Sequence, residues 1–144
     1  MITLERIEEE ITEVIKKFAE AYEKKDLDTA LSFFAPDPNV VVYGSGVDEK
    51  RIGLDEIRAQ FERDFAQTEA ASLEYDWKSI SGSEPFAWLA ADVTFKATTQ
   101  GQEMTFKGRY TSLFEKREDK WLILQMHFSM PSSAQPEGES FPKP

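Results

Sequence analysis

The chain has 144 residues, of which 40% are apolar and 31% charged, a size at which one domain buries about 70% of its extended-state surface with no staple to hold it. Seventeen Lys and Arg stand against 27 Asp and Glu, a net charge of −10, and a field of that sign opposes phosphate backbones and anionic membranes, so neither nucleic acid nor membrane is an expected partner. The absence of cysteine and the single histidine, His127, remove disulfides, thiolate chemistry and Cys- or His-rich metal sites, so no metal and no cofactor is expected.

MITLERIEEE carries three consecutive glutamates where a signal peptide would have a basic and then an apolar stretch, and no run approaches the ~20 apolar residues of a membrane span. The expected location is the cytoplasm.

From Leu4 to Tyr22, apolar residues recur at steps of three and four, the stripe of an amphipathic helix with Thr3 as its N-cap. Its charge pairs, Glu13 with Lys17 and Glu20 with Lys24, mark a solvated face. Asp26 offers an N-cap for a short second helix whose apolar side runs from Leu27 to Phe34, and Pro36 and Pro38 stop it. Asn39 to Tyr43 reads as a strand and Gly44-Ser45-Gly46 as a loop, with Asp48-Glu49 a solvated acidic pair. Leu54, Ile57, Phe61 and Phe65 then predict a third helix from Gly53 to about Thr68.

The period changes to two in the second half. Four long strands are predicted, with turns at Gly82–Pro85, at Gln100-Gly101-Gln102 and between Arg117 and Lys120. Their apolar residues fall on both phases, Phe86 and Trp88 on one and Leu89 and Phe95 on the other. Helices can cover only one side, so a homodimer through the other sheet face is expected. The domain is placed at residues 1–131. The Pro-rich remainder, 132–144, is read as an extended tail.

The stretches KKDLDTALSFFAPD, YGSG, RIGLDEIRAQFERDF, FKGRYTSLFEKREDKW and MHFSMP, spread over residues 3 to 131, resemble the SnoaL-like group of the nuclear transport factor 2-like superfamily, with its ketosteroid isomerases, polyketide cyclases and kinase association domain. The resemblance implies an α+β cone: three N-terminal helices packed on the concave side of a strongly curved, mainly antiparallel sheet, an apolar pocket inside, and dimerisation through the outer face. Matching the isomerase pattern puts Phe18 at the catalytic tyrosine and Val42 or Tyr43 at the base, which does not support that mechanism.

Candidate site residues follow from side-chain chemistry. Histidine is the side chain that titrates near neutrality, so His127 is the catalytic candidate; a buried histidine satisfied by its neighbours is the competing reading. Arg109 needs a carboxylate or a ligand anion if buried, and Asp92 across the strands is the ordinary partner. The last hairpin leaves two registers open. A two-residue turn at Glu118-Asp119 sets Tyr110 opposite His127, and a three-residue turn sets Arg109 there instead. Phe34, Tyr43, Phe61, Phe65, Trp77 and Trp88 are wall candidates, each core by default. The expected function is binding of a small apolar or acidic ligand, held by Tyr43, Phe61, Arg109 and Tyr110. The alternative is an isomerase- or cyclase-type enzyme using His127 with Tyr110 or Arg109.

Overall fold

The computed structural model describes residues 2–144. Helix α1 (Leu4–Glu23) starts where the Thr3 hydroxyl accepts from the Arg6 N–H at 3.2 Å, and it buries Ile7, Ile11, Ile15 and Phe18. Each of these side chains contributes roughly 1.5–3 kcal/mol by leaving water. Helix α2 (Leu27–Leu31) is capped by Asp26 and ends earlier than the apolar pattern suggests. Phe34 leaves the helix because its backbone bridges to Ile123 of the last strand. Helix α3 (Gly53–Gln67) closes the helical half.

The sheet has six strands in the order β2-β1-β6-β5-β4-β3. The four long ones, β3 (Ala70–Ser83), β4 (Phe86–Thr99), β5 (Gln102–Arg117) and β6 (Lys120–Ser129), form the expected antiparallel meander. Two short strands extend it. β1 (Val41–Tyr43) lies parallel to β6, and β2 (Lys50–Ile52), which the sequence pattern did not indicate, pairs antiparallel with β1.

All three helices supply residues to one core with the inner sheet face, which holds Leu89, Ala91, Val93, Tyr110, Phe114 and Met126. This is the curved, helix-filled cone anticipated from the pattern. Two β-bulges help bend the long strands, one on β3 at Asp76 and one on β6 at Leu124. Gly108 is required on the inner face, since a Cβ there would stand 2.5 Å from the Phe128 ring that lies across it. Arg117, at the end of β5, donates to both carboxylate oxygens of Asp37 at 2.8 and 2.6 Å, fixing the link between α2 and β1.

The bulge decides the open register. Glu118 and Asp119 both have positive φ, 49° and 63°, in a two-residue turn, and Lys116 faces Trp121 as that turn requires. Beyond Leu124 the pairing slips by one, so Thr111 stands opposite His127 and Tyr110 opposite Phe128. Neither anticipated partner, Tyr110 nor Arg109, faces His127, because the extra residue on β6 changes the count between turn and site.

Residues 131–144 carry no helix or strand; the Lys143 N–H donates to the Ala134 carbonyl at 2.8 Å, and Phe141 is exposed.

Candidate functional site

A cavity of about 330 Å³ occupies the cone, within the size range of small-molecule sites. Its walls are apolar: Phe18 of α1, Phe61 of α3, and Phe95, Phe106, Met126 and Phe128 of the sheet. Exposed Ser45, Gln67, Met104 and Met130 mark its mouth, formed by the β1–β2 loop, the end of α3, the β4–β5 hairpin and the end of β6. The Met130 N–H donates to the Ser45 hydroxyl at 2.9 Å and holds loop and strand end together.

One polar cluster interrupts these walls. Gln60 and Asp64 sit one turn apart on α3, facing Tyr22 near the end of α1. The Tyr22 hydroxyl donates to Asp64 Oδ2 at 2.9 Å, and Gln60 Nε2 donates to Asp64 Oδ1 at 2.8 Å. Gln60 Nε2 also reaches Glu49 Oε2 at 3.4 Å, while Gln60 Oε1 accepts from Arg51 Nε at 3.0 Å and from Arg63 Nη2 at 3.4 Å. Arg63 is committed outward to Asp48 by two bonds of 2.7 and 3.3 Å.

Burial holds the Asp64 carboxyl above its ordinary pKa, against the pull of the bonds from Tyr22 and Gln60. Burial also pushes the Tyr22 phenol up, with the adjacent Asp64 charge acting in the same direction. A carboxyl desolvated in this way and fixed by a tyrosine and an amide is poised to accept or return a proton. The aromatic support is dense: Tyr22 packs edge-on against Phe61 and Phe65 with ring centroids 5.9 and 5.2 Å apart.

Deeper in the cone, Tyr110 lines the cavity at 3% exposure and its hydroxyl has no hydrogen-bond partner; the Tyr75 hydroxyl is likewise buried and unpartnered. The two rings meet edge-on at 6.1 Å. An orphaned hydroxyl costs about 1–3 kcal/mol.

The anticipated site divides across the sheet. Phe61, Tyr110 and Tyr43 line the cavity, although the Tyr43 ring is 41% exposed and lies 5.5 Å from the His127 ring. His127 and Arg109 do not line it. They alternate with Met126, Phe128 and Tyr110, which point inward, so they stand on the outer sheet face. The expectation that Arg109 or Tyr110 shares the cavity with His127 is therefore corrected: strand alternation and the Leu124 bulge put His127 on the opposite face from Tyr110. Arg109 is the register partner of Asp92. Trp77 and Trp88, offered as walls, are 55% and 51% exposed on the same outer face. Phe34 and Phe65 pack in the core behind the wall.

Tyr22, Glu49, Arg51, Gln60 and Asp64 were not anticipated as site residues. A signal existed on α3, where Gln60 and Asp64 continue the three-and-four spacing from Ile57 and so place polar groups within the buried stripe. Glu49, expected to be solvated, is instead drawn in by the Gly46 N–H at 3.0 Å and by Gln60. Among the described residues no cluster of His, Asp and Glu has the arrangement of a metal site, and no helix is long and apolar enough to cross a membrane.

The profile of the SnoaL-like domain family matches residues 11–133. A nuclear transport factor 2-like superfamily protein from Salmonella enterica serovar Typhimurium superposes with a TM-score of 0.83 at 21% identity, covering 95% of this chain and 99% of that one. A proposed dehydratase of the same superfamily from Streptomyces avermitilis gives 0.82 at 19% identity, covering 91% and 100%. A proposed calcium/calmodulin-dependent protein kinase II association domain from Xanthomonas campestris gives 0.77 at 23% identity, covering 86% and 87%. At these identities the likeness establishes the fold. No curated protein matches the chain significantly.

Proposed function

The chain belongs to the SnoaL-like domain family, and from that premise we propose that it binds a small, largely apolar molecule inside the cone, with the Tyr22–Asp64–Gln60 cluster holding the ligand's polar group. The observation that carries this reading is the pairing of a cavity of about 330 Å³, walled by aromatic and thioether side chains, with a single polar cluster. Ala97, a small buried residue of the wall, provides the test. A thermal-shift screen of small aromatic compounds on the full chain finds stabilising ligands, and Ala97→Phe, which fills the cavity, removes their effect. Ligands that stabilise Ala97→Phe as well as the parent bind elsewhere, and the reading fails.

An enzymatic reading rests on Asp64 rather than His127. The carboxyl with a raised pKa, hydrogen-bonded to Tyr22 and facing an apolar cavity, is the proton-transfer group in this reading, and the likeness to a proposed dehydratase accords with such chemistry. Asp64→Asn then abolishes turnover of any substrate found, and retained turnover in that variant excludes the assignment.

The outer sheet face carries Trp77, Trp88 and Phe86, 55%, 51% and 42% exposed. A second copy of this chain covers that face in our reading, because three large aromatic side chains exposed on one sheet face leave apolar surface of the kind a partner buries. Light scattering reports a dimer, and Trp88→Glu a monomer; a monomeric parent protein at micromolar concentration rules this out.

A further inference from the structure

The hydrogen-bonding capacity of the cluster is unevenly used. Gln60 is saturated: its amide hydrogens go to Asp64 and Glu49, and its oxygen accepts from Arg51 and Arg63. The Tyr22 proton is spent on Asp64. Both Asp64 oxygens accept one bond each, and a carboxylate has room for about four. What the cluster still presents to the cavity is acceptor capacity on Asp64, on the Tyr22 oxygen and on Glu49, beside the Nη groups of Arg51, whose Nε alone is bonded, to Gln60.

Charge points the same way. Among the described residues lining the cavity, Arg51 is the single cation, and Glu49 and Asp64 are both beside the amide it binds. An anion entering here would set its own acceptors against two carboxylates, with one guanidinium to offset them.

On the premise that the cavity is the binding site, we propose that it selects a neutral ring compound carrying a hydroxyl, which donates a hydrogen bond to the Asp64 carboxylate, and that it rejects ligands bearing a carboxylate. Donation to an ionised acceptor is the stronger kind of hydrogen bond, and a ligand without the donor leaves a buried charge short of partners. The aromatic walls supply the affinity, and the Asp64 oxygens supply the choice between otherwise similar rings.

The test uses three compounds of one ring system on the folded full chain: 2-naphthol, 2-methoxynaphthalene and 2-naphthoate. Titration calorimetry should rank 2-naphthol at least about tenfold tighter than 2-methoxynaphthalene, the worth of one bond to a charged acceptor, with 2-naphthoate weakest. Asp64→Asn should bring the first two within about threefold of each other, because an amide is the weaker acceptor. Should that variant not fold, the absorption band of 2-naphthol bound to the parent protein reads the same bond, moving to the red when its hydroxyl donates to a carboxylate. Equal binding of naphthol and its methyl ether, or an unmoved band, overturns the donor requirement while the cavity remains the binding site. Tighter binding of naphthoate overturns the charge selection. If none of the three binds, the selection and the reading of the cavity fall together.

Discussion

Replacing Tyr110 by Phe should make the protein more stable. The side chain is 3% exposed, its hydroxyl has no partner, and the phenylalanine ring fills the same space, so the substitution removes a desolvated hydroxyl and little else. An unsatisfied buried hydroxyl costs about 1–3 kcal/mol, and the lower end, about 1 kcal/mol, is the expected gain. With an unfolding entropy of about 2.1 cal/mol/K per residue over 144 residues, roughly 0.3 kcal/mol/K in all, that gain raises Tm by about 3 °C. Calorimetry on the ligand-free protein measures it directly. Tyr75→Phe is the paired control, since its hydroxyl is also orphaned but it takes no part in lining the cavity, and it should shift Tm in the same direction. A fall in Tm of more than about 1 °C for Tyr110→Phe would show that the hydroxyl has a partner in the ligand-free state and refute the reasoning.

Gly108→Ala drives a methyl into the Phe128 ring, 2.5 Å away, and should cost about 1–3 kcal/mol in urea unfolding while displacing a ring that lines the cavity; unchanged stability together with unchanged ligand affinity would contradict the packing described. The hydrogen bond from Arg117 holds the Asp37 carboxyl below its ordinary pKa, so the folded state gives up stability as pH falls through that lowered value. Asp37→Asn should therefore be less stable than the parent at pH 7, with the gap closing toward pH 2; a gap that stays constant between those values would exclude the linkage. His127→Ala, on the outer sheet face, should leave the affinity of any cavity ligand unaltered; a weakened ligand would return His127 to the site.

The local rules were legible residue by residue. Thr3 and Asp26 cap the helices they precede, the α1 stripe is buried at Ile7, Ile11, Ile15, Phe18 and Ala21 where its period placed it, and the first two meander turns fall where Pro85 and Gly101 interrupt the alternation. These features are set by neighbours within a few positions, which is why a sequence displays them. The early end of α2 depends on a partner far along the chain, Phe34 with Ile123, while β2, three residues long, pairs with β1 across the loop at 44–49 and is too short to show a period. The site depended on distant partners still more. One extra residue at Leu124 changes which side chains face each other across β5 and β6, and that count separates His127 from Tyr110. Asp64 becomes distinctive only when α3 packs against α1 and brings Tyr22 to 2.9 Å from it. Periodicity assigns a residue to a face of its own element; the groups it meets there, and the water it loses, are decided by the packing of elements whose relative placement no local pattern encodes.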